Sequence, residues 1–316
     1  MIKITKDEIR ILLYMVVAVA ILACLPLLDQ GYILSLGLTI VMYVALCTAW
    51  VLFSGPTHYI SLATAAFFGL GTYVVGIGID VLPFPILLII AALIGGVVSG
   101  LVGIATLRLS GVYFVIFTLG MAELIRQIVT WIQTNFTTGI GLYVLTDFSE
   151  AHIYWMLLAL TVLIFITGWL INRSRLGFAM RIIGNDETVA AHVGIDSAKA
   201  KVLLFLISGA YIAVIGAILA PRFAYIEPPS AFNPMISFLV VIMSLMGGTR
   251  TLWAPLIGVV PFTLLFDMVS ARFPNHSSIL LGIAFLLIVY LIPDGLIGRI
   301  EGITKRFSKK KERTHE

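Results

Sequence analysis

Apolar runs long enough to cross a hydrocarbon core recur along this chain from end to end. About 20 residues suffice for a crossing at 1.5 Å rise per residue. Ten stretches stand out: 11–28, 32–53, 62–79, 83–106, 112–131, 152–172, 202–221, 234–246, 252–271 and 277–297. Composition agrees, with 60% hydrophobic and only 11% charged residues, against about 25% charged in an ordinary soluble domain. A helix satisfies its own backbone groups, so it is the form such runs take in lipid. The expectation is an all-α, polytopic integral membrane helix bundle of about ten spans, eight to ten, the one at 234–246 being short.

Cations set the expected orientation, because cytoplasmic loops carry the Lys and Arg excess. With both termini cytoplasmic, the inner side collects Lys3, Lys6, Arg10, Arg108, Arg173, Arg175, Arg181, Lys199, Lys201, Arg250, Arg299 and the cations of the tail, while the outer side holds Arg222 and Arg272. Residues 1–10 are then a cytoplasmic N-terminus, 11–298 the membrane domain and 299–316 a basic cytoplasmic tail. The net charge of +4 becomes a topological signal rather than a nucleic-acid footprint. Lys3, Lys6 and Arg10 before an apolar run, with Cys24 after Ile21-Leu22-Ala23, also suggest an export signal. The run continues to Leu28, and an uncleaved first span is expected. Cys24 and Cys47 fall towards opposite ends of their spans, too far apart for a bridge.

One polar insert interrupts this pattern. Residues 174–201 separate two spans by 28 residues, whereas connections between neighbouring helices usually run two to eight. The insert reads as two short helices: 176–183, broken by Gly184, then a run capped by Asn185 or Asp186 and ended by Gly194. Asp196 caps the following span. A loop of this size with its own caps suggests a docking element for something outside the membrane.

Two further places resist helix formation. Ser54-Gly55-Pro56-Thr57-His58-Tyr59-Ile60-Ser61 joins a Gly-Pro pair to several hydroxyls, and Gly247-Gly248-Thr249-Arg250-Thr251, a Gly-Gly pair with two threonines, looks like a similar break nearer the C-terminus. Irregular backbone at membrane depth is tolerated where protein or a water-filled cavity covers it, and in transporters it lines the solute path. An ordinary turn between spans is the alternative. Gly95, Gly96, Ser99, Gly100 and Gly103 form one small-residue face, and Gly209, Ala213, Gly216, Ala217 and Ala220 another, both suited to close packing in lipid. Glu123 and Arg126, three apart within one span, are expected to pair, whereas Asp267 falls near an outer helix end. No phosphate loop, nucleophile elbow or HExxH zinc motif occurs, and the histidines lack metal-ligand spacing. The chain does not read as an enzyme.

From about residue 32 to 298 the sequence resembles the permease subunits of ABC importers for branched-chain amino acids, the LivM type. The resemblance rests on Ser61-Leu62 with Ala65-Ala66-Phe67-Phe68-Gly69-Leu70-Gly71 and Tyr73, and on Leu107-Arg108-Leu109-Ser110-Gly111-Val112-Tyr113-Phe114. It continues through Thr118-Leu119-Gly120 with Glu123 and Arg126, and through Ser174-Arg175-Leu176-Gly177 with Arg181, Glu187, Ala190, Gly194-Ile195 and Lys201. Phe205, Ser208, Gly216 and Gly247-Gly248 complete it. The chain departs from the family pattern at His58, Ala63, Thr64 and Thr72, in the short Thr138-Gly139-Ile140-Gly141-Leu142 segment, and at Phe178 and Gly184, where arginines are usual.

What the resemblance implies is an ABC importer permease fold. It also implies a second permease subunit of the LivH type, two cytoplasmic ATPase subunits carrying ATP and Mg, and an extracytoplasmic solute-binding protein. No cofactor is expected on this chain. The ATPase-coupling loop would use Gly177, Phe178, Arg181, Glu187, Ala190 and Gly194. The translocation path would use Gly55, Ser61, Thr64, Phe67, Phe68, Gly69, Gly71, Thr118, Glu123, Arg126, Gly247 and Gly248. The solute would be leucine, isoleucine and valine, or a related small polar solute, moved across the cytoplasmic (inner) membrane by alternating access. Urea or a short amide remains an alternative solute, and an ion-coupled secondary transporter an alternative mechanism.

Overall fold

The computed structural model describes residues 22–28, 31–107, 111–136, 141–185, 187–249 and 251–273, with residues 19, 109, 276, 279, 280, 282 and 283. Most of the expected first span, nearly all of the last, both charged termini, and Arg108, Thr138, Gly139, Asp186 and Arg250 lie outside the described residues.

The long helices are α1 (Gly31–Thr57), α3 (Phe84–Thr106), α4 (Val112–Phe136), α5 (Glu150–Arg173), α8 (Ser197–Leu219), α10 (Pro234–Gly247) and α11 (Ala254–Arg272), and the short apolar α2 (Thr64–Gly78) sits between α1 and α3. Two small helices, α6 (Arg175–Asn185) and α7 (Glu187–His192), fill the insert between α5 and α8, and α9 (Pro228–Ala231) precedes α10. Two-residue strands β1 (Leu142–Tyr143) and β2 (Tyr225–Ile226) pair antiparallel, Leu142 opposite Ile226. Seven segments among the described residues are long and apolar enough to cross a membrane, that at 228–247 joining α9 to α10. The expected count of about ten therefore stands at seven described spans plus the shorter α2.

Helix ends follow local chemistry. Ser149 caps α5 by accepting from the His152 N–H, with Glu150 in the first turn and Arg173 in the last, both favourable to the helix dipole. Asn233 caps α10 by accepting from the Met235 N–H, with Pro234 directly behind it, where a missing N–H costs nothing. Asp196 caps α8 by accepting from the Lys199 N–H, as expected. The Lys199 ammonium beside it holds the Asp196 carboxyl below its ordinary value.

The core is organised around α8, whose most extensive contacts are with α3 and α2. The two small-residue faces meet there. A Cβ on Gly95 would lie 2.3 Å from Ala213 Cβ, and one on Gly209 would lie 2.3 Å from Ser99 Cβ. These backbones can approach because neither helix presents bulk at the crossing. Helix α1 crosses α5 and α8 and is buried over most of its length, whereas α4 is the least buried of the seven spans.

Two expected helix breaks shift. Helix α1 runs through Gly55 and Pro56 to Thr57, instead of breaking at Ser54. The proline forfeits one hydrogen bond, but the His58 N–H still reaches the Ser54 carbonyl at 3.0 Å. Thr57 Oγ1 also donates to the Phe53 carbonyl at 2.7 Å. The break comes at His58, whose φ is +59°. Gly184 likewise does not break α6, which continues to Asn185. The second break falls where the sequence places it: α10 ends at Gly247, and Gly248 has a φ of +106°, a region that favours glycine.

Candidate functional site

Helix α2 has 15 residues, a rise of about 22 Å, short of the roughly 30 Å hydrocarbon core. The non-helical residues 58–63 lead into it. Their polar groups are met by neighbouring helices. The Leu62 N–H donates to Thr118 Oγ1 on α4 at 3.1 Å, and the Ala65 N–H donates to Ser237 Oγ on α10 at 2.8 Å. Trp50 Nε1 on α1 donates to the Ser61 carbonyl at 2.8 Å, and the Ala63 N–H donates to Ser61 Oγ at 3.3 Å. Three helices thus hold this irregular segment, and an unpaired buried backbone group here would be costly. The Ser54 and Thr64 hydroxyls on either side of the break are buried without hydrogen-bond partners.

An aromatic cluster surrounds this segment. Phe205 on α8 contacts Phe53 at 4.8 Å and Phe67 at 5.6 Å between ring centroids, and Tyr59 meets Phe114 on α4 edge-on at 5.1 Å. Of the expected path residues, Ser61, Thr64, Phe67, Phe68 and Thr118 are all packed in this interior. Gly69 faces the Phe232 ring, and Gly71 lies against the Ala213 backbone.

The two breaks, distant in sequence, adjoin in space. A Cβ on Gly55 would stand 2.7 Å from the Thr249 carbonyl. Beside them lies a cavity of about 680 Å³, lined by Gly55, Pro56 and His58, by Asn172 at the end of α5, by Gly177, Arg181 and Gly184 of α6, and by Thr249 and Thr251. Gly247 itself lies against α11, where its Cβ would be 2.0 Å from the Ala254 carbonyl.

The insert forms the outer wall of this cavity. Met180, Ile183 and Ala190 face inward and are buried, while Phe178, Val189 and Val193 are exposed. Gly177 lets α6 approach the Ile171 carbonyl, and Arg181 Nη2 donates to the Asn172 carbonyl at 2.6 Å. The turn after α7 is made at Gly194, with φ +80°. Glu187 reaches across to Lys201 with both carboxylate oxygens at 2.7 Å. In the sequence Lys201 is a loop cation and a point of family resemblance; its burial and its partner Tyr59 were not legible there.

Glu123 and Arg126 pair as expected, with Arg126 Nε donating to Glu123 Oε2 at 2.8 Å and Nη2 reaching Oε1. Gln127 Nε2 also donates to Glu123 Oε1 at 3.0 Å. The pair lies midway along α4, on a half-exposed stripe continued by Thr130, apart from the buried α4 face that meets residues 58–63. Asp267 accepts from the Tyr32 hydroxyl at 2.6 Å.

Residues 32–289, most of the chain, match the family described as the permease component of branched-chain amino acid transport systems. The chain belongs to this permease family. LivM, a high-affinity branched-chain amino acid transport permease of Salmonella typhimurium, is 28% identical over 298 aligned residues, covering 84% of this chain and 67% of LivM. Its Escherichia coli K12 counterpart is 27% identical over the same coverage. The E. coli K12 permease LivH is 28% identical over 146 residues, 46% of this chain and 44% of LivH. No solved structure matches. The permease is accordingly a multi-pass membrane transport protein.

Proposed function

We propose that this permease is the membrane-spanning subunit of an ATP-driven importer in the cytoplasmic membrane, carrying leucine, isoleucine, valine or a closely similar small solute by alternating access. The observation that carries the reading is the seating of the insert on the two breaks: Gly184 of α6 rests on the carbonyl of Pro56, and α6 walls the cavity that Gly55 and Thr249 share. A loop in that place can transmit an outside force directly to irregular backbone. Its exposed Phe178, Val189 and Val193 suit a protein partner better than water.

In this reading both termini and the insert are cytoplasmic, and two ATPase subunits carrying ATP and Mg grip the insert. A second permease subunit of the LivH type covers the half-exposed Glu123 and Arg126 on α4, since a charged pair in mid-span needs protein or water beside it. An extracytoplasmic solute-binding protein delivers the solute. The names of the relatives support the branched-chain assignment, and no nucleotide motif in the sequence lets this chain hydrolyse ATP itself.

The reading is tested by a binding screen on the cognate solute-binding protein, together with co-purification of the ATPase subunits with the permease. Binding of leucine, isoleucine or valine in preference to urea and short amides is expected. Preference for urea would move the assignment to the amide class, and a permease that transports without any ATPase would overturn it.

A further inference from the structure

Lys201, in the first turns of α8, is the charged side chain buried most completely among the described residues, at 1% exposure. All three of its N–H donors are engaged. Two go to the Glu187 carboxylate oxygens, each at 2.7 Å, and one to the Tyr59 hydroxyl at 3.1 Å. The ammonium also stands 4.4 Å from the centroid of the Tyr59 ring. Burying an ammonium costs so much solvation that an apolar side chain of similar size often stabilises a fold as well or better. Stability alone does not call for lysine here.

The three partners belong to three different parts of the molecule. Glu187 begins α7 of the insert and is half exposed, at 51%. Lys201 belongs to a membrane span. Tyr59 belongs to the irregular segment 58–63, and its ring meets Phe114 on α4. An apolar contact slides at little cost, but parting Lys201 from Glu187 would leave a buried charge unpaired. When α7 moves, Lys201 and Tyr59 must follow or the pair must break.

We infer that Glu187, Lys201 and Tyr59 form the mechanical link by which the insert displaces the irregular segment 58–63, with Lys201 as its positioning residue. This link rests on the functional reading above, in which ATPase subunits move the insert. It supplies what that reading lacks, a specific route from the loop surface to residues 58–63 and onward to the buried face of α4 at Phe114.

The test uses the complete transporter in proteoliposomes, carrying Lys201→Met, Glu187→Gln, both together, or Tyr59→Phe. The readouts are solute taken up per ATP hydrolysed and nucleotide-dependent labelling of Ser61→Cys. Lys201→Met and Glu187→Gln should each lower uptake per ATP about tenfold, within the range by which residues along a coupling route alter coupling. Both should abolish the nucleotide dependence of labelling while the ATPase subunits still co-purify. The double variant should be no worse than either single one, as for two members of one interaction. Tyr59→Phe keeps the ring contact and should show a smaller loss. Unchanged uptake per ATP in Glu187→Gln, or additive losses in the double variant, would overturn the link while leaving the importer reading intact. If Lys201→Met does not insert, Glu187→Gln decides alone. Absence of any ATPase from the unsubstituted assembly would overturn the importer reading and the link with it.

Discussion

Gly184 lies directly against the carbonyl of Pro56, so closely that a Cβ at this glycine would stand 2.2 Å from the oxygen. The contact joins the insert to the end of α1, and it runs against local propensity. In an exposed helix, alanine in place of glycine would gain about 1 kcal/mol. Here Gly184→Ala should instead loosen the insert, because the obstructing atom is backbone and cannot rotate away. Limited proteolysis of the purified permease should show faster cleavage between residues 174 and 201, whereas unchanged cleavage would mean that α6 can shift at no cost.

Adjacent glycines on α3 should behave oppositely. Gly95→Ala would place its Cβ 2.3 Å from Ala213 Cβ, while Gly96→Ala meets its nearest atom at an ordinary 3.5 Å. Overpacking of this kind costs about 1–3 kcal/mol. The melting temperature in detergent should fall for the first and hold or rise for the second. Equal effects would argue against the α3–α8 crossing.

Thr118 accepts from the Leu62 N–H, so Thr118→Val keeps the shape but leaves a buried donor unpaired, at a cost of about 1–3 kcal/mol. Thr118→Ser should restore most of the loss in the same melting assay. If valine and serine behave alike, the hydroxyl is not holding the segment.

Much of the architecture can be read directly from the residues. The apolar runs mark the spans, the two Gly-rich breaks fall at or within a few residues of their expected places, and the small faces of α3 and α8 meet. Legibility fails where a distant contact overrules a local preference. Pro56 reads as a helix stop, yet it removes a single hydrogen bond from a ladder that Thr57 and His58 continue. Gly184 reads as a breaker because propensity records the cost of glycine and not the neighbour its bareness admits. Lys201 reads as one more loop cation, since Tyr59, which completes its burial, is 142 positions away.

Phe178 is 65% exposed on α6, and on the proposed reading it anchors in an apolar groove of the ATPase. Phe178→Ala should then weaken ATPase co-purification by about 2 kcal/mol, the scale of an interface hot spot, with insertion unchanged. A reporter fused at residue 185 should be active only on the cytoplasmic side. An external signal there would remove the ATPase from contact with the insert.

Solute accumulation in proteoliposomes tests the central claim most directly. The permease is reconstituted with its partner permease, both ATPase subunits and the solute-binding protein, with or without ATP and Mg on the ATPase side. Labelled leucine should accumulate against its gradient only when ATP and every subunit are present, and unlabelled isoleucine and valine should compete with it. Leucine uptake by the permease alone, independent of ATP, would contradict the account.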